Sequence, residues 1–287
     1  MVQSADTIGN RHSLCLWFRV ALATIDKDLR EMGRYPLEFG AGIIQAFLIM
    51  AVVVFSSITF TPSLRQATDE KSLVSGVLVH GYVLFIFLTE IIWKMGYSIQ
   101  KDRRQGTLEQ LYLAPAPVSA ALFSRIAITV ASTCGICVLS LLVLVGLIGS
   151  LPLFNLAGGA VILLLTVSGF CGLGLIFTAL SFWLKEAIQI VSTAAQFSFI
   201  LLCAPFFPFS ALPNAIRAMA QFVPFSYCVD AYRSTLLGYP RGYPELAGVG
   251  QEFLVVLLCG ILLPVIGIKL NHIAQNQARR AGNLSSY

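Results

Sequence analysis

Hydrophobic residues form long runs along most of this chain, and polar residues gather in the short intervals between them. Six of these runs reach the roughly 20 residues that an α-helix needs to cross the hydrocarbon core of a bilayer. Because lipid offers no partner for backbone N–H and C=O groups, each run is predicted to be a helix. The predicted spans are about 39–60, 73–93, 120–148, 156–183, 187–209 and 250–270.

The composition supports a polytopic membrane protein. Only 11% of the residues are charged and 57% are hydrophobic, whereas a soluble globular chain carries about 25% charged residues. The residues before position 39 are too polar to form the apolar core of a signal peptide, so no cleaved signal is expected. The sequence therefore predicts an all-α membrane protein in which residues 1–287 form a single transmembrane domain.

The distribution of Lys and Arg predicts the orientation of the spans. About 14 of the 19 basic residues fall on one side of the predicted membrane and about 5 on the other. Cytoplasmic loops are enriched in Lys and Arg, so both termini, including the tail 271–287, are predicted to lie in the cytoplasm beneath the cell membrane. Basic residues do not cluster on a soluble face, so nucleic-acid binding is not expected.

The N-terminal segment 1–36 is predicted to form a helix that lies on the membrane surface. Apolar and charged residues separate onto two helical faces between Leu14 and Arg30, a pattern typical of interfacial helices. Pro36 then ends the helix before the first span. An ordinary solvated connector is the alternative.

The most informative polar stretch, 101–117, joins the second and third predicted spans. Gly106 is a natural stop for the incoming helix, and Thr107 with Gln110 fits the capping box that starts another. Glu109 adds negative charge to the first turn, where the helix dipole favours it. Leu108, Leu111 and Tyr112 share one face of the predicted helix. A simple chain reversal needs neither a helix cap nor an apolar face, so we predict a short cytoplasmic helix that docks on a partner. The predicted docking element comprises Arg103, Arg104, Gly106, Thr107, Leu108, Glu109, Gln110, Leu111 and Tyr112.

The interval 210–246, which we call the outer hairpin, is too apolar to be a free loop. Two short helices fit it, each starting after a proline. Asp230 and Arg233 are three residues apart and are therefore able to pair on one helical face. Irregular backbone at membrane depth is tolerated when protein buries it, so a re-entrant helical hairpin is predicted on the outer side. Its candidate structural and gating residues are Pro213, Pro224, Tyr227, Asp230 and Arg233.

His80 and Glu90 in the second predicted span, and Lys94 just after it, are further candidates. Glu90 and Lys94 are four residues apart, in the order that favours a helical ion pair. Charge in a span is a functional candidate by default, but a structural pair near a span end fits equally well, and both interpretations stay open. His80 is expected to face a pore or to pack, because the sequence shows no second metal ligand beside it.

Two segments resemble one known family. The stretch from Arg103 to Leu111, followed by Ala114 and Pro115, resembles the charged Gly-Thr-Leu-Glu signature of ATP-binding-cassette (ABC) permeases of the type-2 exporter family, which export drugs, lipids or polysaccharides. The stretch 212–238 resembles the family's segment before its last span. Together with the six spans, this resemblance covers nearly the whole chain.

The resemblance implies a fold and a set of partners. Two six-helix permease copies would pair, as a homodimer or a heterodimer within the membrane lipids, and each would dock on a separate ABC ATPase subunit. The helix opened by Thr107 would be the coupling helix that sits on the ATPase. The N-terminal helix would be the elbow helix, and the outer hairpin would help to close the exit.

The chain lacks the Gly-x-x-x-x-Gly-Lys-Ser/Thr loop that cradles nucleotide phosphates, and none of its lysines follows a glycine. ATP and Mg²⁺ are therefore expected on the partner ATPase, with no cofactor, metal or catalytic residue in this chain. The expected function is ATP-driven export of a hydrophobic or amphipathic drug or lipid, with polysaccharide or glycolipid export as the alternative. An ion-coupled secondary transporter, which usually carries ionisable residues near the midplane, and a membrane enzyme are less well supported.

Overall fold

The computed structural model describes residues 68–106, 118–148, 154–240 and 242–280, together with single positions and short stretches between 19 and 52. All regular secondary structure in these residues is helical, which confirms the predicted all-α class. Short 3₁₀ turns occupy Lys185–Ala187 and Phe209–Ala211. The α-helices in the continuous described ranges are α1 (Thr68–Arg104), α2 (Val118–Ile148), α3 (Leu156–Leu184), α4 (Ile188–Cys203), α5 (Asn214–Ala220), α6 (Pro224–Leu236) and α7 (Val249–Arg280).

Four of these helices are long and apolar enough to cross a membrane, which indicates a multi-pass membrane protein. They correspond to the second, third, fourth and sixth predicted spans. Much of the first predicted span and of the N-terminal segment falls outside the described residues, so the six-span layout stays a prediction. The four apolar segments are Gly76–Arg104, Ala120–Leu142, Leu156–Leu184 and Val249–Gln277.

Helix α4 is shorter than the fifth predicted span. The apolar run continues to position 209, but the helix ends at Cys203. Ala204 adopts a left-handed conformation with φ of 48° and ψ of 51°. Pro205 follows, and a proline has no N–H with which to continue the helix. The chain therefore turns back six residues earlier than the hydrophobic pattern indicates.

Helix α1 forms the centre of the described fold. Its most apolar stretch is 83% buried, and it packs against α2, α3, α4 and α6. Tyr82, Leu84, Leu88 and Ile91 are almost fully buried in the main hydrophobic core. Any displacement of α1 therefore affects most of the other described helices.

Helices α3 and α7 approach each other closely at positions that lack side chains. A Cβ on Gly172 would lie 2.3 Å from the Pro264 nitrogen, and a Cβ on Gly260 would lie 2.8 Å from the Leu165 oxygen. Ser168 Oγ donates a hydrogen bond of 2.8 Å to the Gly260 carbonyl. Small residues that permit backbone contact and interhelical hydrogen bonds are typical of helix pairs in membranes.

Candidate functional site

Of the predicted docking element, the structure describes Arg103, Arg104 and Gly106. Helix α1 ends at Arg104, and Gly106 adopts a positive φ of 66°. The Gly106 N–H donates to the Arg103 carbonyl at 3.1 Å, which gives one of the last helical carbonyls a partner. The predicted helix stop is confirmed. The rest of the element lies outside the described residues and stays a prediction: Thr107, Leu108, Glu109, Gln110, Leu111 and Tyr112.

Two ion pairs hold this basic end of α1, which carries Lys101, Arg103 and Arg104 in its last turn. Arg125 Nη2 of α2 lies 2.7 Å from Asp102 Oδ2, and the two side chains are only 17% and 8% exposed. Arg104 lies 3.6 Å from Glu186 of the first 3₁₀ turn, and both side chains are largely exposed. The buried pair joins α1 to α2, whereas the exposed pair leaves its charges accessible to water.

A second polar contact joins the same two helices further along. Glu90 Oε2 and Lys94 Nζ lie 2.8 Å apart, so the ion pair predicted from their spacing is confirmed. Lys94 Nζ also donates to Ser132 Oγ of α2 at 3.1 Å. Whether this pair is structural or functional stays a prediction.

Side-chain amides link α1 to α4. Trp93 Nε1 donates to Gln196 Oε1 at 3.0 Å, and Gln189 Nε2 donates to Gln100 Oε1 at 3.3 Å. These residues did not emerge from the sequence analysis. The sequence did contain a signal for these contacts, because Gln189 and Gln196 lie seven residues apart within the otherwise apolar fifth predicted span.

The outer hairpin begins as the sequence predicts. Pro213 immediately precedes α5, and Pro224 is the first residue of α6, where its missing N–H breaks no hydrogen bond. Tyr227 Oη donates to the Gln221 carbonyl at 2.9 Å and so ties the first turn of α6 to the connection before it. The two short helices predicted after prolines are confirmed, while their placement on the outer side stays a prediction.

Arg233 is almost fully buried, and its guanidinium binds backbone carbonyls. Nη2 donates to the carbonyls of Ala204, at 2.6 Å, and Pro205, and Nη1 donates to that of Phe207 at 3.2 Å. These oxygens belong to the turn after α4, where a cation also complements the helix dipole. Arginine is not deprotonated in proteins at neutral pH, so this side chain is a cation.

Gly81 of α1 makes room for this Arg233 contact. A Cβ at position 81 would lie 1.9 Å from the Pro205 oxygen and 2.4 Å from Arg233 Nη2. Only a glycine fits at such an approach, because a backbone oxygen in a capped turn has little freedom to move. The central helix, the end of α4 and helix α6 therefore meet at one junction.

Asp230 binds a different stretch of backbone. Its Oδ2 accepts hydrogen bonds from the N–H groups of Glu245, at 2.7 Å, and Leu246, at 2.8 Å. The ion pair that the spacing of Asp230 and Arg233 favours is not formed between these two described residues. Each charged group instead binds backbone of a separate turn, which neither helical spacing nor hydrophobicity reveals.

His80 lies beside this junction. Its side chain is 3% exposed, and its ring meets that of Tyr232 edge to face, with 6.0 Å between the centroids. The structure therefore supports the packing role among the two that the sequence allowed. In the part of the chain that the structure describes, no three His, Cys, Asp or Glu residues group as metal ligands.

Comparison with known proteins identifies the family. Residues 20–237 match the family model described as "ABC-2 type transporter". The matched stretch contains the basic end of α1 and the chain through the end of α6. No curated protein sequence matches the chain. Because the match extends over well more than half of the 287 residues, this membrane protein belongs to the ABC-2 type transporter family, as the resemblance of its two motifs indicated.

Proposed function

We propose that this chain is the permease subunit of an ATP-driven exporter and forms the transport pathway together with a second permease copy. Family membership supports a permease role and implies association with ABC ATPase subunits. Direction of transport, dimerisation and cargo are parts of the proposal. ATP and Mg²⁺ would bind the partner ATPase subunits.

The length and charge of α1 carry the proposal. A helix of 37 residues is about 55 Å long at 1.5 Å per residue, whereas the hydrocarbon core is about 30 Å thick. One end of α1 therefore extends into water. The end that carries Lys101, Arg103 and Arg104 fits the cytoplasmic side, where basic residues accumulate. The ATPase would dock there, against the helix that Thr107 is predicted to open.

ATP binding would close the two ATPase subunits onto each other. Because the closed ATPase pair would bind the two permease conformations with different affinities, it would shift the permease from one to the other. The motion would enter at the basic end of α1 and reach the outer hairpin through the junction of Gly81, Pro205 and Arg233. The hairpin is held there by backbone hydrogen bonds of Arg233 and Asp230. It would act as the outer gate of the pathway.

A hydrophobic or amphipathic drug or lipid is the cargo that the composition supports best. The described spans contain few charged groups that would bind a polar solute. One observation favours the second candidate, a glycolipid or polysaccharide. Trp93 with Gln196, and Gln189 with Gln100, place an aromatic ring and amides along α1 and α4, and such groups stack on and hydrogen-bond to sugars.

The experiment isolates the chain with its ATPase from native membranes and reconstitutes the complex in liposomes. ATP hydrolysis is measured with Hoechst 33342, with an NBD-labelled phospholipid and with a glycolipid as probes. Stimulation by a probe, with ATP-dependent movement of that probe, supports export and names its cargo class. Movement driven by a proton or sodium gradient without ATP contradicts it.

The docking element is tested in the same liposomes. We expect Thr107→Pro and Glu109→Lys to abolish probe movement while the chain still inserts, because they remove the cap and reverse the charge of the first helical turn. Glu109→Gln is the matched control that keeps side-chain size. Normal movement by a correctly inserted Thr107→Pro variant would contradict the coupling role.

A further inference from the structure

We infer that two polar cross-links, Asp102–Arg125 and Lys94–Ser132, lock α1 and α2 into one rigid lever that carries motion from the connection between them into the membrane. This inference rests on the proposed function, because a driven motion presupposes an ATPase docked at that connection.

The two cross-links fix a single register between the helices. They are eight residues apart on α1 and seven residues apart on α2, which corresponds to about 12 Å and about 10 Å along the helix axes. Residue numbers rise along one helix as they fall along the other, so α1 and α2 run antiparallel. A slide of one helix past the other would break both contacts together.

The chemistry of the cross-links resists sliding. Arg125 Nη2 and Asp102 Oδ2 lie 2.7 Å apart with little exposure to water, so their attraction is weakly screened. Ser132 Oγ donates to the Thr129 carbonyl at 2.9 Å, which leaves its lone pairs for Lys94. Hydrophobic contact, in contrast, is non-directional and tolerates small displacements.

The position of the lever suits transmission. The connection 105–117 leaves α1 three residues after Asp102 and enters α2 seven residues before Arg125. The ion pair therefore lies at the base of the segment that holds the predicted docking element. A force on that segment would move both helices together, and α1 extends to Gly81, which adjoins the Arg233 contact of the outer hairpin.

The test measures distances between spin labels in the complex of the chain with its ATPase in lipid nanodiscs. Genetically encoded p-acetylphenylalanine carries the labels, because the chain has 7 cysteines. Labels at Tyr97 and Leu142 report the register of α1 and α2, and labels at Leu142 and Ile261 report the lever against α7. The three side chains are 39%, 64% and 53% exposed. Labelled chain is diluted with unlabelled chain so that most complexes carry one labelled copy.

In the wild type, trapping with ATP and vanadate is expected to shift the Leu142–Ile261 distance and to leave the Tyr97–Leu142 distance narrow and unchanged. Asp102→Arg and Arg125→Asp should each broaden the Tyr97–Leu142 distribution and remove most of the shift. The double variant Asp102→Arg/Arg125→Asp, the double swap, should restore the narrow distribution and the shift, because it re-forms the ion pair with the two charges exchanged. Asp102→Asn and Arg125→Gln serve as milder variants if a reversal fails to fold. Glu186→Arg is the matched control, and it should leave the Tyr97–Leu142 distance narrow.

Three outcomes would overturn the inference. A wild-type-like shift with a narrow distribution in Asp102→Arg would overturn the lever and leave the proposed function standing. A double swap that folds but restores neither distance would show that direct pairing is not what matters. A wild type that shows no nucleotide-dependent shift would overturn the proposed function, and the lever with it.

Discussion

The basic end of α1 and the outer hairpin use charged side chains in opposite ways. At the basic end, charge meets charge: Arg125 pairs with Asp102, and Arg104 lies near Glu186 in water. In the outer hairpin, Arg233 and Asp230 are almost fully buried, and each binds backbone groups of a distant turn.

The difference follows from the backbone hydrogen-bonding groups that each region must pair. Buried turns carry carbonyl and N–H groups that need partners, because an unpaired backbone group away from water is costly. A guanidinium supplies five donors in a rigid fork and serves several carbonyls at once. The outer hairpin is therefore a closed junction, whereas the basic end keeps the charges of Arg104 and Glu186 exposed.

The largest effect is expected from Arg233→Met, which removes the donors of three carbonyls. Each unsatisfied buried group costs about 1–3 kcal/mol, so the loss of unfolding free energy should exceed about 3 kcal/mol. Denaturant unfolding in detergent micelles measures it. Arg104→Met, at the exposed end, is the control and should cost about 0–1 kcal/mol. Equal losses in the two variants would erase the contrast between the two regions.

Gly81→Ala should have the next largest effect, because the new methyl group meets the Pro205 oxygen and Arg233 Nη2. Overpacking of this kind costs about 1–3 kcal/mol. Gly135→Ala in α2 is the matched control, since no atom lies within 4 Å of its added Cβ. That change should be neutral or stabilise by up to about 1 kcal/mol through helix propensity. Thermal unfolding of both variants decides the point, and a Gly81→Ala protein as stable as Gly135→Ala would contradict the close approach.

Arg125→Gln should cost about 1–2 kcal/mol, less than a fully buried pair because Arg125 is partly exposed. Arg104→Gln should cost less, and salt should reduce its effect more, since an exposed pair is screened by ions. Denaturant unfolding at low and high salt measures how far the stability loss of each variant depends on salt. The same salt dependence in both variants would mean that burial does not distinguish the pairs.

Gly106→Ala should have the smallest effect, about 1 kcal/mol. Its Cβ would meet no atom within 4 Å, so only the positive φ of 66° disfavours it. Gly106→Asn, which tolerates the left-handed conformation, should recover part of the loss. Hydrogen exchange at residues 101–106 reports fraying of this helix end. Unchanged exchange in Gly106→Ala would show that the turn imposes no constraint.

Local patterns predicted the local features of this molecule. The length of the apolar runs predicted the long apolar helices, prolines predicted the starts of α5 and α6, and spacing predicted the Glu90–Lys94 pair. The same reasoning was wrong about Asp230 and Arg233, whose partners lie 15 to 29 residues away in sequence. Spacing shows which side chains share a face, but only the tertiary fold brings turns to that face.

The Asp102–Arg125 contact was missed for a similar reason. Asp102 is an acidic residue among basic ones, and Arg125 lies early in the third predicted span. Nothing local indicates that the two helix ends return to one another. The end of α4 was also misplaced, because hydrophobicity continues past the left-handed Ala204, where the backbone turns.

The early end of α4 has a consequence for the surrounding lipid. A helix of 16 residues is about 24 Å long, some 6 Å shorter than a typical hydrocarbon core. Ile190 and Phe197 on this helix are exposed in the single chain. If α4 crosses the membrane as the fifth predicted span, the bilayer beside it would have to become thinner, or the outer hairpin would have to fill the missing depth. The acyl-chain length of the surrounding lipid would therefore affect α4 and the outer hairpin.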